Sequence, residues 1–152
     1  MRGKPVNILL VEDNGDHAEL TLMALRNNNL TNEVFVAKDG EEALDFVYHR
    51  GEYGDVEKFP LPGLILLDIG LPKMTGLEVL EILKSNPRLK TIPVIMLTTS
   101  TREEEIARSY ANGANSYVTK PVNFEEFAKR IREIQLYWTI TNILPFSPEE
   151  ER

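Results

Sequence analysis

The sequence predicts a doubly wound α/β fold, a five-stranded parallel sheet with helices on both faces. Two observations carry this expectation. Short apolar runs bounded by turn-forming residues recur along the chain, and runs of that length read as strands buried on both faces. Between them lie longer amphipathic stretches with capping signals at their starts. Strict alternation of the two types leads to a parallel sheet with crossover helices, and right-handed crossovers leave few strand arrangements.

The first strand is expected over Val6–Val11 and runs into Glu12-Asp13. A helix near Asp16–Asn28 leads to a second strand over Glu33–Ala37. Asp39, three residues before Glu42, opens a helix over Gly40–Arg50 with capping-box spacing. The third strand, Leu64–Asp68, precedes a helix over Gly76–Ser85, whose start pairs Thr75 with Glu78. The fourth strand, Ile92–Thr98, precedes a helix over Arg102–Asn112, with Thr101 and Glu104 at the same spacing. Ser116–Thr119 is the fifth strand, and Asn123 with Glu126 starts a last helix from Phe124 onward, with Val122 and Phe127 as a hydrophobic staple. One connection is out of scale: Gly51–Gly63 is longer than the usual αβ loop. A functional insertion and a tolerated surface excursion both remain open there.

Composition narrows the chemistry. A chain of 152 residues supports one domain with a real core. We expect that domain over residues 1–144, including an extended last helix, with a short acidic tail over 145–152. A formal charge of −7 argues against affinity for nucleic acid or anionic membrane. The absence of cysteine excludes disulfides, thiol catalysis and thiolate metal sites, and two histidines, His17 and His49, make a histidine metal cluster improbable. No apolar run approaches the length of a membrane span. A cytoplasmic protein is the default expectation.

Ligands of open parallel sheets bind outside the carboxyl ends of the strands. Glu12 and Asp13 follow the first strand and Asp68 ends the third, so two strands deliver acids to one crevice. Adjacent acids after a strand also serve as helix caps, and for Glu12 and Asp13 alone that structural reading is favoured. Asp68 shifts the balance, since an acid directly after four buried apolar residues needs a partner. Three carboxylates together repel and raise one another's pKa values. A magnesium ion relieves that conflict, because it takes oxygen ligands and binds through a few carboxylates plus water. Gly70 can add a backbone carbonyl. Thr98 and Lys120, at the ends of the fourth and fifth strands, bring a hydroxyl and an ammonium to the same edge, and the set suits a phosphoryl group.

Val11-Glu-Asp-Asn14, Leu67-Asp-Ile-Gly-Leu-Pro-Lys-Met-Thr-Gly76, Met96-Leu-Thr-Thr99 and Tyr117-Val-Thr-Lys-Pro121 together resemble the receiver domain of two-component response regulators. The resemblance runs from about Val6 to Leu136. It implies a flavodoxin-like sheet of order 2-1-3-4-5 with five helices. It implies further that Asp68 accepts the phosphoryl group, and that Glu12, Asp13, Asp68 and the Gly70 carbonyl bind Mg2+. Thr98 and Lys120 then assist the transfer, Thr98 and Tyr117 form the conformational switch, and the Lys120–Pro121 bond is cis. Thr99 departs from the pattern, which usually has a small residue there, and Gly70 and Ser100 stand at positions that vary in the family.

The function so implied is that of a single-domain response regulator phosphorylated by a sensor histidine kinase and signalling through protein contacts. The chain also resembles the small stand-alone regulators of phytochrome-type kinases, through Gly51–Gly63, the Ile92–Ser100 segment and the tail. A receiver-like scaffold that binds proteins without phosphorylation is the alternative. A haloacid-dehalogenase-type phosphatase would carry a second acid where Gly70 stands, and a flavodoxin would carry a phosphate loop after the first strand. Phe124, Phe127, Ile131, Ile134 and Trp138 form the expected core stripe of the last helix. Leu136, Ile140 and Ile143 form an opposed one if that helix continues, which favours a homodimer through this helix and the C-terminal segment; an early helix end with a folded-back tail is the other reading. The segment after Ile143 is too short and acidic for a DNA-binding domain, so output is expected through an effector or phosphotransfer protein.

Overall fold

The computed structural model describes residues 7–26, 33–99, 102–120 and 124–136, apart from the side chain of residue 103. Five strands and five α-helices alternate: β1 (Ile8–Val11), α1 (Gly15–Arg26), β2 (Val34–Ala37), α2 (Gly40–Tyr48), β3 (Leu64–Asp68), α3 (Gly76–Ser85), β4 (Val94–Thr98), α4 (Glu103–Ala111), β5 (Ser116–Thr119) and α5 (Phe124–Leu136). All strand pairs are parallel, in the order β2-β1-β3-β4-β5. The expected fold class, strand order and helix count are those observed. Trimmed boundaries have local causes: His49 ends α2 in a left-handed turn at φ 57°, and Pro93 precedes β4 without an N–H to extend it.

Alternation of side chains along each strand builds two cores. Leu9, Val11, Ile65, Leu67, Val94 and Met96 face α2 and α3. Ile8, Leu10, Leu64, Leu66, Ile95 and Leu97 face α1 and α5. The helices supply matching stripes: Ala43, Leu44, Phe46 and Val47 on α2, and Leu77, Val79, Leu80 and Leu83 on α3. On α5 the expected stripe is corrected in one place. Phe127 and Ile131 are buried and Phe124 and Ile134 are half-buried, but Gln135 is also buried at the position one turn after Ile131. Leu136 is exposed, and Trp138, Ile140 and Ile143 lie outside the described residues. No helix among the described residues is long and apolar enough to cross a membrane.

Two capping expectations can be checked against side-chain geometry. Thr75 and Glu78 form the full capping box of α3. Asp39 caps α2 by accepting from the Glu42 N–H at 2.8 Å, whereas Glu42 accepts from the Lys38 N–H rather than from Asp39's own. Glu42 is diverted because its second oxygen accepts the Tyr53 hydroxyl. The boxes expected at Thr101 and Asn123 include residues outside those described.

That tyrosine belongs to the long connection, which is a packed strap. A short 3-10 turn at Gly51–Tyr53 folds it back along α2. Tyr53 and Phe59 rings lie 4.9 Å apart, and each stacks on Phe46, at 5.1 and 5.9 Å. Phe59 also meets Phe35 of edge strand β2 at 5.8 Å. The His49 ring Nε2 donates to the Phe59 carbonyl at 2.8 Å. Burial beside Glu42 raises the Tyr53 pKa far above its ordinary value of 10.0, so the hydroxyl stays a donor. The connection extends the α2–α3 core over the edge strand.

The turn from β3 into α3 is as close as backbone can pack. A Cβ on Gly76 would stand 2.1 Å from the Asp68 carbonyl oxygen, while one on Gly70 would meet nothing within 4 Å. Gly76→Ala therefore destabilises the protein by about 3 kcal/mol, since backbone cannot yield as a side chain does. Gly70→Ala changes stability by no more than about 0.5 kcal/mol. Urea denaturation midpoints check the pair, and equal midpoints would contradict this account of the turn.

Candidate functional site

Register places the acids side by side. Val11 pairs with Leu67, so the next residues, Glu12 and Asp68, leave adjacent strands together at the carboxyl edge. Asp68 pairs with Leu97, and Thr98 pairs with Thr119, which brings Thr98 and Lys120 to the same edge on the other flank. Glu12, Asp13 and Asp68 each offer an oxygen, and these oxygens lie within 4.8 Å of one another. Glu12 and Asp68 are buried and Asp13 is exposed, so the cluster opens to solvent through Asp13.

Lys120 neutralises part of this charge. Its Nζ donates to Glu12 Oε1 and stands 3.5 Å from Asp68 Oδ2, with only 8 % of its side chain exposed. Its backbone N–H donates to the Thr98 carbonyl at 2.7 Å, which ties the end of β5 to the end of β4. The Asn14 N–H donates to Glu12 Oε2 at 3.2 Å, and the Gly70 N–H faces Asp68 Oδ1 at 3.4 Å. Gly70 is exposed above the acids.

The two flanks of the sheet divide the remaining residues. Strand alternation carries Glu12, Asp68 and Lys120 to the side of Ile8, Leu64 and Val118, under α1 and α5. It carries Thr98 to the side of Val94 and Met96, where half-buried Tyr117 packs against the α2–α3 core. Pro121 lies outside the described residues. The sequence singled out every acid in the cluster, but His17 only as a residue unsuited to a histidine metal cluster, and Gly76 only within a motif. His17 Nδ1 stands 3.2 Å from Lys120 Nζ. Beside them a cavity of about 380 Å³ is lined by His17, Thr99, Lys120, Phe124 and Phe127.

The donor set fits a hard divalent cation. It is all oxygen, it is anionic, and its members converge from two strand ends with one face open. Thiolate ligands that would favour softer metals are lacking, since the chain has no cysteine.

Glu12 reports the electrostatic load. Its carboxyl is held above the ordinary value of 4.5, chiefly because burial disfavours the charge. Lys120 and the Asn14 N–H pull it down, and Asp68 pushes it up. The folded protein therefore holds the Glu12 proton more tightly than the unfolded chain. Its contribution to stability is complete below 4.5 and is lost as pH rises through the raised folded value. Glu12→Gln keeps an acceptor for Lys120 but cannot ionise. In metal-free buffer the variant gains stability relative to the parent as pH rises across that window. A difference independent of pH would contradict the assignment, and denaturation at a series of pH values measures it.

Residues 8–132 match the family model of the response regulator receiver domain. The chain is 42% identical over 142 residues to the probable methanogenesis regulatory protein FilR2 of Methanothrix harundinacea, covering 93% of this chain and 88% of that protein. It is 41% identical over 141 residues to response regulator Rcp1 of Synechocystis, covering 93% of this chain and 94% of Rcp1. The crystal structure of the Mn2+-bound form of Rcp1 superposes with a TM-score of 0.81 at 41% identity, covering 90% of this chain and 96% of that one. The phosphorylated cyanobacterial phytochrome response regulator RcpA superposes with a TM-score of 0.82 at 40% identity, covering 88% of this chain and 94% of RcpA. With the sheet order, the carboxyl-edge acids and these relatives in agreement, the chain belongs to the response regulator receiver domain family.

Proposed function

We propose that this response regulator accepts a phosphoryl group on Asp68 from the phosphohistidine of a sensor histidine kinase. The observation that carries the reading is the convergence of Glu12, Asp13, Asp68 and Lys120 in one partly open cluster. A receiver-like scaffold has no use for that costly arrangement.

An Asp68 carboxylate oxygen attacks phosphorus, forming an O–P bond as the P–N bond to the kinase imidazole breaks and the freed nitrogen takes up a proton. Glu12, Asp13, Asp68 and the Gly70 carbonyl would hold Mg2+, which when bound supplies positive charge against the phosphoryl oxygens. The Lys120 ammonium, already 3.5 Å from Asp68 Oδ2, adds a second positive charge that needs no reorganisation. Gly70 leaves open space above the acceptor. The new acyl phosphate adds acceptor oxygens and charge. The Thr98 hydroxyl then moves toward the phosphoryl group, and the Tyr117 ring turns into the space that it leaves. The output is a population shift of the surface formed by α4, β5 and α5.

RcpA is by its name a phytochrome response regulator, and we infer a kinase of phytochrome type for this chain, acting in the cytoplasm. Output passes to an effector or phosphotransfer protein. Exposed Leu136 at the end of α5 supports a homodimer through that helix and the segment after it.

Acetyl phosphate with Mg2+ tests the reading without the kinase. The parent chain takes up one phosphoryl group, omission of the divalent cation prevents it, and Asp68→Asn takes up none. Lys120→Ala slows incorporation by roughly a hundredfold. Truncation before Tyr137, followed by sedimentation, yields a monomer. Labelling of Asp68→Asn would overturn the acceptor, and an unchanged dimer would overturn the interface.

A further inference from the structure

The start of α1 brings to Lys120 a side chain that phosphoryl acceptance has not yet used. Besides its hydrogen bond to Glu12, Lys120 Nζ lies 3.2 Å from His17 Nδ1. An ammonium has only protons to offer. The contact therefore requires a lone pair on Nδ1, which a neutral imidazole has when its proton sits on Nε2.

The backbone that carries the ring is held in place by local chemistry. Asn14 Oδ1 accepts from the His17 N–H at 3.0 Å, and the buried Thr21 hydroxyl donates to the His17 carbonyl at 2.9 Å. His17 is half-buried at the wall of the cavity beside the acids. An ammonium carries three N–H groups, and here the Lys120 side chain is nearly closed to water. Glu12 and His17 take two of them, leaving the third for the oxygen on the Asp68 side, 3.5 Å away.

We propose that His17 is a positioning residue for phosphoryl transfer to Asp68, its Nδ1 holding the Lys120 ammonium between Glu12 and the acceptor. The role rests on the reading of Asp68 as acceptor. A lysine has a flexible four-carbon stem, and with Glu12 as its one firm partner the head settles onto that carboxylate. A second acceptor, His17 Nδ1, fixes the head at a second point with Asp68 Oδ2 3.5 Å away. Because the imidazole is neutral, it does so without cancelling the positive charge that the phosphoryl oxygens require. It also transmits the position of α1 to the acceptor, so contacts on that helix alter the reaction without touching Asp68.

The experiment follows phosphorylation of the full chain by acetyl phosphate at saturating Mg2+. His17→Ala lowers the maximal rate by roughly five- to tenfold, the effect of one lost hydrogen bond of ordinary net strength, with the donor concentration at half-rate unchanged. In His17→Asn the side-chain oxygen falls near the Nδ1 position, and the rate returns to within about twofold of the parent. Nitrogen NMR of the parent chain finds Nδ1 bare and Nε2 protonated, and the Nδ1 resonance moves in Lys120→Met. A parent rate in His17→Ala, no recovery in His17→Asn, or a proton on Nδ1 would each overturn the role while leaving the acceptor intact. A parent chain that takes up no phosphoryl group at all would overturn both.

Discussion

Two unit charges about 5 Å apart in a medium of effective dielectric near 20 repel by roughly 3 kcal/mol. Glu12, Asp13 and Asp68 place three carboxylates within that separation, two of them buried. Much of the surrounding structure is a response to that repulsion. Lys120 is fixed by its side chain to Glu12 and by its backbone to Thr98. Asn14 spends an N–H on Glu12. The Glu12 carboxyl is still held above its ordinary value, chiefly by burial, with Asp68 adding to the rise. A site so loaded favours whatever brings positive charge and is readily altered by added negative charge, which are the properties of a switch.

Strand alternation divides the proposed switch between the two faces of the sheet. Glu12, Asp68 and Lys120 share the α1–α5 side of the sheet, whereas Thr98 and Tyr117 lie on the other side, toward the second core. Among the described residues, the Lys120 N–H to Thr98 carbonyl bond joins the two flanks at the strand ends. Gly76, pressed against the Asp68 carbonyl, leaves the Asp68 backbone little freedom. In the proposed switch, motion falls to the β4 and β5 ends, and a Thr98 hydroxyl that moves beside a constrained Asp68 backbone suits a two-state element.

The sheet order was legible only through the motif resemblance, because periodicity specifies parallel strands but not their neighbours. The acid cluster was legible from position alone, since each acid closes a buried run. The two-flank division was also within reach: residue parity along β3, β4 and β5 contains it. His17 was not legible, because a polar residue in the first turn of a helix carries no sign of which distant strand end its ring meets. Gln135 was hidden by the opposite problem, as an apolar stripe containing Ile134 reads well without it, and burial of a polar neighbour depends on tertiary partners. The strap over β2 was visible only as an unusual length, since ring stacking among Phe35, Phe46, Tyr53 and Phe59 spans residues far apart in sequence.

The central claim is that Asp68, and no other carboxylate in the cluster, becomes an acyl phosphate. An acyl phosphate is reduced by borohydride to the alcohol, so a phosphorylated aspartate becomes homoserine while free carboxylates are untouched. Phosphorylating the parent chain, reducing it and sequencing its peptides by tandem mass spectrometry reads the position directly. Homoserine at position 68 alone is the expected result. Conversion at Asp13, or an unreduced chain after demonstrated phosphoryl uptake, would contradict the account.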